Sequence, residues 1–328
     1  MRYDRRSRDR ARKIKRARVT ILFIITAVFV IGGSVIMAQK FAEGKQAVQA
    51  AEVVDEQNNS NSVDEQNNSN SNDQNKTTDK NVLSINESKQ SSENTYTEDV
   101  AFVEKYLSDQ MKGQMPEGAD GKKVVYLTFD DGPSETVTPF VLDALKAENV
   151  HATFFVVGKN VDESETNKNL LKRELAEGNE IGNHTYSHNY NYLYPKNIIN
   201  VNNIMEDIEK TNQLLKNVLG QDFSTRAIRF PGGHMTWAKK DAKGMELMDK
   251  ALADKDYHQV DWNSLSKDAE GPHKNAAQLK QEVINTMGSK QKLIILMHDT
   301  YGKEETAKAL PEIIKYLKDQ GYEFKTLK

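Results

Sequence analysis

The chain has 328 residues, 45 basic and 48 acidic, a formal net charge of −3 and no cysteine. A near-neutral total argues against a nucleic-acid protein held by bulk charge. The missing thiols exclude disulfide scaffolds, thiolate metal sites and cysteine nucleophiles, so any metal must rest on His and carboxylate.

Hydrophobic residues make up only 37%, which implies that part of the chain carries no core. Residues 1–18 hold ten Arg or Lys against Asp4 and Asp9, a local charge of +8. Val19–Gln39 then runs 21 residues without a charge, enough to cross a bilayer as a helix. The preceding basic block predicts a single-pass anchor in the cell membrane, with a cytoplasmic N-terminus and everything after it exported. A cleaved signal peptide ending near Ala38 is the competing reading, though Ile36 fits a cleavage site poorly. Residues 40–95 read as an extracellular linker. From Asp55 to Thr95, 23 of 41 residues are Asn, Gln or Ser, none is aromatic, and V-D-E-Q-N-N-S-N-S occurs twice in tandem. Such a tract buries too little apolar surface to offset chain entropy.

Order is expected from Tyr96. Residues 96–121 read as an N-terminal extension whose helix, Glu98–Met111, carries Val100, Phe102, Val103, Tyr106, Leu107 and Met111 close to helical spacing and docks on the main domain. Residues 122–328 form that domain. Strands are predicted at Val124–Phe129, Ala152–Val157, Glu180–Asn183, Ala227–Phe230, Tyr257–Asp261, Leu293–Met297 and Glu323–Thr326. Helices are predicted at Thr136–Glu148, Leu170–Glu177, Ile198–Leu219, Ala242–Ala253, Ala276–Met287 and Thr306–Lys318. Strict alternation implies a parallel α/β sheet. About seven units suit a distorted (β/α)7–8 barrel better than an open six-stranded sheet. No Gly-rich phosphate loop follows the first strand, which argues against a nucleotide site.

In such a barrel the chemistry sits at the C-terminal strand ends. Those ends carry Asp130-Asp131-Gly132, His184-Thr185-Tyr186-Ser187-His188, Arg229-Phe230-Pro231-Gly232-Gly233, Asp261-Trp262 and Leu296-Met297-His298. Taken singly each has an ordinary explanation: a turn at Asp-Asp-Gly, two loop histidines, a surface ion pair for Arg229, a helix cap at Asp261, a structural His298. Five of them on one rim do not. His184 and His188 can share one ion if the segment turns helically. Asp131 completes a two-His, one-carboxylate set with open positions, suited to zinc or another divalent ion.

In this order, T-F-D-D-G, H-T-Y-S-H, R-F-P-G-G, V-D-W and L-M-H resemble the five motifs of the NodB-type polysaccharide deacetylases, carbohydrate esterase family 4. The resemblance covers about residues 122–328. With the anchor and linker, the whole is similar to membrane-anchored bacterial peptidoglycan N-acetylglucosamine deacetylases. It implies metal-dependent hydrolytic de-N-acetylation of a cell-wall glycan, with acetate as product. It implies one divalent ion, Zn2+ before Co2+ or another ion, on Asp131, His184 and His188. It assigns Asp130 as catalytic base, Arg229 as the group orienting it, His298 as general acid and Asp261 as the residue polarising His298. Leu296 and Trp262 correspond to the apolar wall around the acetyl methyl. One position departs. The third motif usually reads R-x-P-[Y/F]-G, and Gly232 stands at the aromatic place; it keeps the backbone N–H and loses the ring, with His234 a candidate replacement. Three alternatives stand beside this reading: the same chemistry on a wall polysaccharide or its linkage sugar, a glycan-binding barrel without turnover, and a two-carboxylate glycosidase using Asp130 and Asp131.

Overall fold

Nine parallel strands form one curled sheet in the computed structural model, which describes residues 96–328. The basic segment, the apolar run Val19–Gln39 and the polar tract lie outside the described residues. Among the described residues no helix is long and apolar enough to cross a membrane.

In chain order the elements are β1 (Thr97–Glu98), α1 (Val100–Met111), β2 (Val124–Asp130), α2 (Thr138–Ala147), β3 (Thr153–Val156), α3 (Gly158–Asp162), α4 (Glu165–Ala176), β4 (Glu180–Asn183) and α5 (Tyr190–Leu193). They continue with α6 (Val201–Leu219), β5 (Ala227–Ile228), α7 (His234–Lys240), α8 (Ala242–Ala253), β6 (His258–Gln259), β7 (Ser264–Leu265), α9 (Ala276–Met287), β8 (Lys292–His298), α10 (Glu304–Asp319) and β9 (Glu323–Leu327). The long strand β2 is the hub. One edge pairs with β8 along its whole length; the other pairs with β9 at its start and β3 at its end. The sheet then runs β3-β4-β5-β6 on one side and β8-β7 on the other. Among the described residues no pair joins β6 to β7, so the sheet is a curled half-barrel rather than the closed ring of an ideal (β/α) barrel.

Successive strand residues face opposite sides, and this divides the two central strands cleanly. Val125, Leu127 and Phe129 of β2, with Leu293, Ile295 and Met297 of β8, join the main core under helices α2, α9 and α10. Tyr126 and Ile294 face the concave interior with Phe155 and Val260. By the same alternation Thr128, Asp130, Leu296 and His298 line that interior nearer the C-terminal rim. Helix α1 seals the opposite end, adding Val100, Val103 and Leu107 to the interior cluster. Asp99 caps it, accepting the backbone N–H groups of Ala101 and Phe102; such a cap contributes about 1 kcal/mol.

Several boundaries differ from the sequence reading. The strand expected at Ala227–Phe230 stops at Ile228, because Pro231 and the turn at Gly232-Gly233 follow. The helix expected from Ile198 starts at Val201, behind an Asn200 cap. Strand β7 and helix α7 were not anticipated: a two-residue strand and a two-turn helix are too short for periodicity to reveal.

Candidate active site

Asp130 and Asp131 stand at the end of β2, where the chain turns sharply. Asp131 is left-handed at φ 71°, a conformation Asp tolerates better than most residues. The histidine segment after β4 is a bend, not the helical turn expected from its spacing. It uses left-handed residues at Thr185, φ 63°, and His188, φ 49°. A β-branched residue in that region is strained. The surroundings hold it there: Asn183 Oδ1 accepts the Thr185 N–H, and Asp207 of α6 accepts both the N–H and the hydroxyl of Ser187.

The bend aims both imidazoles at one carboxylate oxygen. Asp131 Oδ1 lies 3.4 Å from His184 Nε2 and 3.3 Å from His188 Nε2. That oxygen is buried and accepts no hydrogen bond, an arrangement costly to a carboxylate unless a cation completes it. The three ligand atoms lie within 4.8 Å of one another, the only such group of three among the described residues. His184 Nδ1 is 2.7 Å from the Arg229 carbonyl. That contact puts the proton on Nδ1 and leaves the Nε2 lone pair turned toward Asp131, as ligand histidines require. The donor set therefore fits a divalent ion.

Electrostatics follow the same geometry. Burial raises the Asp131 carboxyl, but the His184 contact and the neighbouring imidazoles more than reverse it, leaving it far below the carboxylate range. Burial first, then the neighbouring His184 imidazole, push His188 down to about 4, so its ring is neutral and free to coordinate at neutral pH.

Arg229 is completely buried and fully used. Its Nη1 donates to Asp130 Oδ1 at 2.8 Å and to Thr128 Oγ1 at 2.7 Å, and its Nε to the Val260 carbonyl at 2.7 Å. Its guanidinium lies 4.1 Å from the centroid of Phe155. Asp130 is thus held by one oxygen, while its Oδ2 faces His184 Nε2 at 3.8 Å. Asp131 faces two imidazoles and Asp130 pairs with Arg229, an arrangement that fits a metal site better than a pair of carboxylates set across a sugar.

His298 pairs with a residue that the sequence reading did not select. Its Nδ1 and backbone N both contact Asp268, each at 2.8 Å, and Thr306 Oγ1 donates to the same carboxylate at 2.8 Å. Burial lowers the imidazole, but the Asp268 hydrogen bond and charge outweigh it and raise His298 to about 9. Asp268 lies three residues past β7, the strand that sequence periodicity missed, so its place on the rim was invisible. Asp261 does not polarise His298. Its two oxygens accept the His234 and Met235 N–H groups at 2.8 and 2.7 Å, capping α7. The resemblance placed it beside His298, and the helix it caps lies 27 residues earlier in the chain, so no local pattern in the sequence joins the two. Trp262 packs against Gly233, and the Arg229 guanidinium lies 5.8 Å from its ring centroid. Leu296 is buried two residues before His298 on the same strand face, in register with Thr128. His234 does not stand in for a ring at Gly232; its Nε2 contacts Asp249 at 2.8 Å.

A family model described as polysaccharide deacetylase matches residues 117–247. A peptidoglycan-N-acetylglucosamine deacetylase of Bacillus cereus is 36% identical over 234 residues, covering 68% of this chain and 78% of that protein. This chain belongs to the polysaccharide deacetylase family. A second relative, the peptidoglycan-N-acetylglucosamine deacetylase PgdA of Listeria monocytogenes, is 33% identical over 224 residues; the match spans 68% of this chain but 42% of that longer protein. Among solved structures, a Streptococcus mutans CE4 esterase aligns at TM-score 0.63 with 35% identity, over 71% of this chain and 93% of that one.

Proposed function

We propose that this deacetylase removes acetyl groups from N-acetylglucosamine residues of cell-wall peptidoglycan by hydrolysis, from the outer face of the membrane. The observation that carries the reading is the unpartnered, buried Asp131 oxygen between two imidazole nitrogens, with an Asp–Arg pair and a His–Asp pair beside it. Two curated relatives bear that substrate in their names.

Amide hydrolysis requires an activated water, charge stabilisation on the acyl oxygen, and a proton for the departing amine. A divalent ion on Asp131, His184 and His188, zinc by its donor set of two imidazoles and one carboxylate, would supply the Lewis acidity for the first two. Asp130 takes the proton from the attacking water through Oδ2, the oxygen Arg229 leaves free. Arg229 orients that carboxylate and balances its buried charge. His298 carries the proton for the leaving nitrogen on Nε2, because Asp268 fixes its Nδ1. A base for the water and an acid for the amine are the two opposite roles this reaction needs. Leu296 supplies an apolar surface beside His298 for the acetyl methyl. The products are acetate and a glucosamine residue.

The charge-free run Val19–Gln39 behind a +8 segment supports anchoring to the membrane, and the polar repeats beyond it suit a spacer reaching into the wall. The test is acetate release by the full chain from purified peptidoglycan and from isolated wall polysaccharide. Release from peptidoglycan that stops with chelator and returns with zinc is expected. Release only from the wall polysaccharide would reassign the substrate, and binding without release would make the barrel a glycan-binding module.

A further inference from the structure

Gly232, the residue without a side chain on the rim, is not beside an empty space. A Cβ placed on it would sit 2.9 Å from the Tyr190 hydroxyl and 3.3 Å from both Tyr190 Cε1 and Trp237 Nε1. Its φ of 82° independently favours glycine. The place is occupied by Tyr190, the first residue of α5, two residues past the ligand histidine His188.

Tyr190 packs into an aromatic cluster. Its ring meets His188 edge-on at 5.6 Å and Tyr194 edge-on at 5.9 Å, and it lies 5.9 Å from Trp237. Tyr194 and Trp237 stack on one another at 3.7 Å, and Trp237 Nε1 donates to the Pro231 carbonyl at 2.8 Å. Asn189 caps the short helix α5 from which Tyr190 projects. Despite these contacts Tyr190 stays 43% exposed. An exposed aromatic ring against a ligand histidine, with its ordering already met by packing, suits the apolar C–H face of a pyranose: little rotamer freedom remains to be lost on binding.

We propose that Tyr190 is a specificity-determining residue, the aromatic wall on which the sugar carrying the N-acetyl group rests, and that Gly232 is glycine because Tyr190 fills its side-chain space. The proposal builds on the deacetylase reading and names the residue that selects the glycan. It predicts that glycan recognition depends on the ring, and that Gly232 and Tyr190 act as one unit.

Two measurements test it on the full, metal-loaded chain. The first compares kcat/KM for a tetramer of N-acetylglucosamine with kcat/KM for p-nitrophenyl acetate, which has no sugar. The second titrates the tetramer calorimetrically into an Asp130→Asn background, so that binding is read apart from turnover. Tyr190→Leu keeps apolar bulk against Tyr194 and Trp237 but removes the π face. It should lower tetramer kcat/KM about five- to tenfold more than it lowers the aryl ester's, mainly through KM, and weaken tetramer binding by a similar factor, the size of one aromatic contact. Tyr190→Phe should stay within about twofold of the parent in both. Gly232→Ala, which displaces the Tyr190 ring, should shift selectivity in the same direction as Tyr190→Leu. Equal losses on both substrates with unchanged tetramer affinity would overturn the proposal and leave Tyr190 a support for His188. Tyr190-dependent binding by a chain that releases no acetate would support the wall and sink the deacetylase reading.

Discussion

Asp268→Asn tests the mechanism at the point where structure and sequence reading disagree most. The substitution keeps the size of the side chain and removes the charge that faces His298 Nδ1 at 2.8 Å. His298 stands at about 9 because Asp268 outweighs its burial. Without that charge burial prevails, and the imidazole falls to its unperturbed value of about 6.5 or below. At about 1.4 kcal/mol per pH unit, the protonated form loses on the order of 3 kcal/mol. At pH 7.5 most of the parent protein carries the proton that the leaving amine needs, whereas at most about a tenth of the variant does. The assay is kcat/KM for acetate release against pH. The alkaline limb should move down by two pH units or more, with turnover reduced about 10²–10⁴-fold at its plateau. Stability should follow with a definite sign. A raised imidazole stabilises the fold fully below about 6.5, and that contribution is lost as pH rises through about 9. Denaturant midpoints of the parent should therefore fall across that window, and those of Asp268→Asn should not. Asp261→Asn is the contrast: it weakens the α7 cap by about 1 kcal/mol and leaves the alkaline limb in place. An unmoved limb in Asp268→Asn, or a moved one in Asp261→Asn, would refute the assignment of the polarising carboxylate.

Asp130→Asn should lose about 10²–10⁴-fold in acetate release while retaining one zinc per chain by atomic absorption, whereas His184→Ala should lose metal and activity together; loss of metal in Asp130→Asn would count it as a ligand instead. Arg229→Met leaves Asp130 buried without its partner and should destabilise the domain by about 3–5 kcal/mol in denaturant unfolding; a change under about 1 kcal/mol would contradict the buried pair. Glu174 of α4 is fully buried, neither of its oxygens accepts a hydrogen bond, and burial together with the Asp299 charge raises it well above the usual range. A carboxyl raised in the folded state costs stability as pH climbs past its unfolded value of about 4.5, so Glu174→Gln should raise thermal stability at alkaline pH and flatten its decline; an equal decline in both proteins would exclude Glu174 as the source.

Local patterns in the sequence were sufficient for much of this. Alternating apolar runs and amphipathic helices specify parallel βα units, and with them the rim where Asp130, Asp131, His184, His188, Arg229 and His298 meet, because each lies at or just beyond a recognisable strand end. The candidate metal set was legible for the same reason: His184 and His188 share one short segment, and Asp131 follows one of the two longest strands. What periodicity could not reach were contacts closed by distant pieces of chain. Asp268 meets His298 across 30 residues, from the loop after a strand of two residues with no periodic signature. Asp261 looked catalytic by position and proved to cap a helix of seven residues. Tyr190 fills the space over Gly232 from 42 positions away in sequence. Hydrophobic pattern encodes which face of an element is buried, and so where the strand ends gather. Which side chain occupies a given point on the rim is decided only when loops from different units are packed to interior density, where one ring or one carboxylate excludes every other.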